Sequence, residues 1–420
     1  MRLIPHLLFC LLFLVSCKNH ETKKELKKVE ATINIAKTFN NPSEVNSKLP
    51  RLFSNSSELY FSWVSTTDST SYLNYAILKD TTWTNTQEIT NGNDWFVNWA
   101  DFPVIAENNG NIITSHLQKS AAGTYTYDVK LNLYNTETEA WKNNFILHDD
   151  GTQSEHGFAS ILPFKENEFF ITWLDGRNTI MPEGEEMNPD EGHNKGGAMS
   201  LRGAFVQNDG TVINDIQLDD RVCDCCQTSA TKTTNHLLVA YRDRSEKEIR
   251  DISIVRFTEN EGWSQPQTIA KDNWKIEGCP VNGPSIDAFE NSVAVVWFTG
   301  ANNKPMVNIV FSEDEGATFG LPIRLDNNDV LGRVDVVMLS ESEAAVVWME
   351  MVGEETLIQL VKVDSNGTRG EVITISKTSA ERSSGFPQLE RVGNVLYTAW
   401  TLVSGDDFEI KTAKIDIDAL

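Results

Sequence analysis

One unit recurs along this chain and limits what it can fold into: a β-rich run that ends in a ring side chain, preceded by a short opening strand and a turn. The runs are Leu59–Trp63, Ile112–His116, Phe170–Trp173, Leu238–Tyr241, Ala294–Trp297, Ala345–Trp348 and Tyr397–Trp400. Their terminal rings are spaced by 53, 57, 68, 56, 51 and 52 residues. The opening strands carry Pro50, Pro103, Ala159, Pro284 and Pro387, and a third alternating strand follows each run, as in Val129–Leu133 and Ile252–Val255. A turn holding Trp83, Trp141, Trp263 or Phe319 then leads to a fourth strand. Near-equal repeats of four short strands predict an all-β chain, a β-propeller of seven four-stranded blades. A six-bladed ring with one copy outside it is the alternative count. After Trp400 only one strand, Phe408 to Ile415, remains, so the last blade lacks its outer strand. The alternating run Thr32–Ala36 is expected to supply it and so remove an open sheet edge.

The leading residues bear on compartment. Arg2 precedes an apolar run, Leu7–Val15, that is too short to span a bilayer and reads as a signal-peptide core. It ends in Leu14-Val15-Ser16-Cys17, which resembles a bacterial lipobox. The resemblance implies cleavage before Cys17 and a lipid on its thiol; an ordinary secretion signal is the alternative. Polar residues 18 to 30 read as a tether, and residues 31–420 as one propeller domain. The chain has 36 basic and 60 acidic residues, a net charge of −24, and loss of residues 1–16 leaves 35 against 60, or −25. That balance excludes nucleic acid as a partner, because phosphate binding needs clustered Lys and Arg. The expectation is a monomer held to a membrane of the bacterial cell envelope through Cys17, facing the periplasm or the exterior.

Ser312-Glu313-Asp314-Glu315-Gly316-Ala317-Thr318-Phe319 matches the S-x-D-x-G-x-T-F/W pattern, and Thr258–Trp263 is a weaker echo one blade earlier. In such a turn Ser and Asp bond the backbone and Gly takes the tight position. This motif resembles the Asp box, or BNR repeat, of the sialidase-like propellers. Trp173–Asn178 and Trp297–Gly300 are also similar to segments of sialidase-like proteins. The resemblance covers the mature chain as a blade pattern, and it implies a glycan-directed propeller. Sialidases hold the substrate carboxylate with an arginine cluster whose first member stands in an R-I-P stretch. Here that stretch is Lys48-Leu49-Pro50. Lysine lacks the planar fork of a guanidinium, which puts sialidase activity in doubt.

In a propeller, the loops between blades share one face with the loops joining second and third strands. Sorting by that rule gathers Trp95, Trp99, Asp101, His156, Asn282 and Arg333 with Asp175, Arg177, His193, Arg242, Arg244 and Arg250. Arg177, Arg242, Arg244 and Arg333, with His156 and Asn282, are candidate ligands for an anion or glycan, or alternatively partners of neighbouring acids. Asp101 and Asp175 are candidate acid/base carboxylates, since glycoside hydrolysis uses such a pair. Cys223, Cys225 and Cys226 open blade four, and Cys279 opens blade five at the equivalent place. They read as disulfides in an oxidising compartment, or as a soft-metal site for Cu or Zn with His156. The Thr179–Gly197 insertion reads as a solvated loop, with a lid or a weak Ca²⁺ site as alternatives.

These readings favour a lipid-anchored module that binds a glycan, anion or protein ligand. The alternatives are a sialidase-type glycoside hydrolase and a metal- or redox-handling lipoprotein built on the cysteines.

Overall fold

The computed structural model describes residues 35–55, 57–180, 197–327 and 329–420. Cys17, the tether and His193 lie outside the described residues, as does most of the insertion that carries His193. The described chain forms seven antiparallel sheets in sequence order, with only short 3-10 turns besides. Each sheet is a blade, and all seven copies of the repeat enter the ring. The innermost strands are Ser47–Ser54, Ile105–Asn108, His156–Phe164, Ser229–Lys232, Ser285–Phe289, Asp329–Met338 and Gln388–Val392. In blades one and four the outer strand is split, so that Trp83 and Trp263 turn in before Gln87–Gly92 and Gln267–Ala270 resume pairing.

Hydrophobic layers between blades hold the ring together. Alternation along Ala294–Trp297 sends Ala294 and Val296 into the layer facing blade six, where they meet Val336, Val346 and Trp348. Val293, Val295 and Trp297 instead face blade four, packing with Leu238, Ala240 and Ile254. A strand buried on both faces reads as a continuous apolar run, which is why these segments stand out in the sequence. The terminal rings Trp63, Trp173, Trp297 and Trp348 are fully buried, and the indole N–H groups of the last three donate to Asp175, Asp272 and Glu350. His116 takes the same place in blade two, where it packs against Trp95; burial lowers its pKa to about 3.

Closure of the ring differs in register from the sequence expectation. The outer strand of blade seven is Lys37–Thr38, paired with Lys414 and Ala413, whereas Thr32–Asn34 lie outside the described residues. Phe39 sets the position. Its ring packs edge-on against Tyr397 and stacks with Trp83, its N–H donates to Thr412, and Asn41 follows by donating to the Ile410 carbonyl. The alternating run upstream lacks an aromatic anchor of this kind.

The Ser312–Phe319 turn joins the third and fourth strands of blade five. Gly316 N–H and Thr318 N–H donate to Ser312 Oγ and Asp314 Oδ1 at 2.9 and 2.8 Å. Gly316 has φ +74°, and a Cβ there would lie 2.5 Å from Leu238, so the position demands glycine.

Candidate functional site

The loops that open successive blades are bonded hand to hand around the axis. Phe158 N–H donates to Asp101 Oδ1 (2.7 Å), Gln227 to the Ala100 carbonyl (2.5 Å), Gly283 N–H to Gln227 (3.1 Å) and Arg333 N–H to Asn282 Oδ1 (2.7 Å). Arg333 Nη1 then donates to the Gly385 carbonyl in the loop that opens blade seven. At three of these openings the inner strand slips register, and Leu49, Phe158 and Arg333 adopt φ of 57, 53 and 54°. Bulges re-aim side chains at sheet ends, and bulky residues at positive φ store strain of order 1–3 kcal/mol each.

The axial cavity inside this belt has about 50 Å³ of space, lined by Arg51, Asp101, Phe158, Gln227, Asp335 and Gln388 among others. That holds a few waters and no saccharide. Asp101 is buried there, accepts Phe158 N–H and the Tyr127 hydroxyl, and burial pushes its pKa well above the usual carboxylate range. Asp175 is also buried; it accepts the Trp173 indole N–H at 2.9 Å and both arms of Arg177 at 2.7 Å. Both candidate carboxylates are thus engaged by donors of the protein itself.

The four candidate arginines do not converge on a common space, and each is engaged by protein atoms. Arg177 grips Asp175 and reaches Asp150 at 3.1 Å. Arg242 lies over the Trp274 ring and donates to the carbonyls of Asn282, Arg250 and Phe298. Arg244 bridges Asp224 and Glu248. Arg333 stacks on Trp99 and donates to Glu381, Ser384 and Gly385; burial lowers its pKa to about 10. Asn282 uses its side-chain carbonyl on Arg333 and its amide on Pro280 and Leu331.

The cysteines do come together, as free thiols. Cys223 Sγ lies 3.4 Å from Cys226 and 4.0 Å from Cys225, and Cys279 stands beside Cys225 close enough to shift its pKa. Arg250 Nη1 donates to Cys223 Sγ at 3.1 Å. Burial raises the Cys223 pKa, but the neighbouring thiols and Arg250 outweigh it and hold that group well below the ordinary thiol range.

His156 does not join the cysteines in a hydrogen bond. It stacks on His148 with centroids 3.6 Å apart, and its Nε2 lies 2.8 Å from Asp150. Asp128 stands 3.8 and 3.9 Å from the two imidazoles. Sequence reading passed over His148 and Asp150, in the loop that opens blade three, and Asp128, at the start of the third strand of blade two. Near-parallel stacked rings cannot both aim in-plane lone pairs at one ion, so this group is a poor metal cradle despite its composition. Burial, with the neighbouring His156, lowers the His148 pKa to about 4.

A recess of 540 Å³ opens beside the axis where blades seven, one and two meet. Lys48, Leu49, Val97, Asn98, Trp99, Glu381, Arg382, Ser383 and Phe408 line it, so that two cations and one carboxylate face the same space. Lys48 Nζ sits 5.0 Å over the Phe408 ring, and burial lowers its pKa. Trp99 is half-buried, held flat by Phe386 behind it at 11° between ring planes. Lys48 entered the sequence reading only as a departure from an arginine. Its strained neighbour Leu49 and the exposed Arg382 were not singled out.

No family model matches the chain, and no curated protein matches it. Solved structures do. An ulvan lyase of the polysaccharide lyase family PL25 aligns with a TM-score of 0.56 at 8% identity, covering 90% of this chain and 96% of that one. The polysaccharide lyase Uly1 aligns at 0.51 with 9% identity over 90% and 91% of the two chains. The endosialidase of phage phi92 aligns at 0.50 with 9% identity, covering 91% of this chain and 68% of that chain. At these identities the likeness establishes the fold. This chain is a seven-bladed β-propeller of four-stranded antiparallel sheets, a scaffold it shares with glycan-acting proteins.

Proposed function

We propose that this chain is a glycan-binding propeller whose recess at blades seven, one and two takes an acidic saccharide. The observation that carries the reading is the meeting of two cations, Lys48 and Arg382, against one carboxylate, Glu381, with Trp99 and Phe408 in a recess of 540 Å³. That size suits a short oligosaccharide, and such sites combine apolar walls with a few placed polar groups. The half-buried Trp99 and Phe408 add apolar wall for the C–H side of a sugar, while the cations meet a carboxylate or sulfate. A recess with two cations and one carboxylate is net positive, which is informative in a chain of net charge −24. The fold is common to proteins named as polysaccharide lyases and an endosialidase, which adds support to a saccharide ligand. The lipobox-like Leu14–Cys17 would hold the module at a membrane of the cell envelope.

The test is titration calorimetry with uronate-, sulfate- and sialate-containing oligosaccharides beside neutral ones. Acidic ligands are expected to bind and neutral counterparts to bind more weakly. Arg382→Glu, at an exposed site, should weaken acidic ligands by roughly 10- to 100-fold, the loss of one charge-assisted bond, with an unchanged melting temperature. Equal affinity in that variant, or binding of neutral ligands alone, rejects the reading.

A further inference from the structure

We propose that Cys223, Cys225, Cys226 and Cys279 form a thiolate site for one soft d10 cation, Zn(II) or Cu(I), clipping blade four to blade five. The sequence supplies three sulfurs in one tight loop and the fourth from the equivalent loop of the next blade. The fold makes them neighbours, with Cys223 touching both Cys225 and Cys226 at 4.0 and 3.4 Å. A tetrahedral ion with Zn–S bonds of about 2.3 Å holds its sulfurs about 3.8 Å apart, so these separations need little adjustment. Disulfides would join the sulfurs in pairs, whereas here one sulfur is shared by two others.

The surroundings fit a metal thiolate. Arg250, buried between Glu248 and the cluster, donates to Cys223 Sγ, as charged donors do for ligating sulfur. Several thiolates around a +1 or +2 ion leave net negative charge, which Arg250 and the nearby Arg242 offset. Cys223 and Cys226 are buried while Cys279 is exposed, so an ion can enter at Cys279 and be enclosed by the others. Each ligating thiol gives up its proton to solvent on binding, with no change of oxidation state. The site lies apart from the Lys48–Arg382 recess, and the two readings can fail independently.

The experiment uses the full-length protein purified without reductant, with metal content by mass spectrometry and thiols counted by alkylation before and after chelation. The expected result is close to one equivalent of Zn or Cu, and thiols that become alkylatable only once the ion is removed. Co(II) exchanged into the site should show an intense sulfur-to-cobalt charge-transfer band. Titrating Zn(II) and Cu(I) separately against competing chelators identifies the ion. Cys279→Ser, at an exposed position, should lower affinity by more than about tenfold while leaving the chelated protein's melting temperature unchanged. Two disulfides without metal overturn the proposal, and so do four free thiols that take up no ion when one is added.

Discussion

Arg242 and Asn282 couple blade four to blade five through the backbone. The Arg242 guanidinium, fully buried over Trp274, places Nε and Nη2 on the Asn282 carbonyl at 3.0 and 2.9 Å. The Asn282 side chain in turn fixes Arg333 N–H at the mouth of blade six. An arginine that looked like an anion ligand is thus a cross-blade tie, and its loss should be felt in stability.

Arg242→Met is expected to destabilise the protein by roughly 3–5 kcal/mol, because the carbonyls of Asn282, Arg250 and Phe298 lose a buried charged donor. Urea denaturation measures it. A shift under about 1 kcal/mol would mean water replaces the guanidinium without cost.

Gly157→Ala tests how tightly the inner belt is packed. A Cβ there would come within 1.9 Å of Asp101 Oδ2 and 3.1 Å of the Tyr127 ring. The expected loss is about 1–3 kcal/mol, typical of overpacking. Wild-type stability in this variant would show that Asp101 can move aside without breaking its bond to Phe158.

Stability should fall on the alkaline side of neutrality. Burial raises Glu390 from 4.5 to about 8 and Asp287 from 3.8 to about 7, so the folded chain holds protons that the unfolded chain has released. Their contribution is complete below the unfolded pKa values and is lost as pH rises through 7 to 8. His148 acts oppositely. Lowered from 6.5 to about 4, its contribution is complete above 6.5 and is lost as pH falls towards 4. Thermal melts should therefore be highest on the acidic side and decline as pH rises to about 8, with Glu390→Gln flattening that limb. A melting temperature that climbs from neutral to alkaline pH would contradict this.

Phe39→Ala should loosen ring closure at a cost of about 1–3 kcal/mol, since the ring is half-buried against Trp83 and Tyr397. Releasing Lys37–Thr38 also exposes the edge of Asp407–Asp416, so aggregation on size-exclusion chromatography should rise with temperature. A variant as stable and as monodisperse as wild type would show that Asn41 and Thr412 suffice for closure.

Blade number, blade order and the gathering of loops on one face were legible in the sequence, because each blade repeats the same apolar run and turn. Burial on both strand faces writes that pattern into Ala294–Trp297 and its equivalents, whatever the ligand. The cysteine neighbourhood was legible too, since equivalent loops of adjacent blades must lie side by side. Which arginines face solvent was not. Arg242 and Arg333 differ from Arg382 only in the carbonyls and rings that the fold sets around them. Lys48 read as a departure from a motif until Trp99, Arg382 and Phe408, from loops far apart in the chain, closed a recess around it. The pairing of His148 with His156 was hidden for the same reason. Apolar periodicity fixes the scaffold because burial acts residue by residue along a strand, whereas the direction of a polar side chain is decided by partners that only the closed ring supplies.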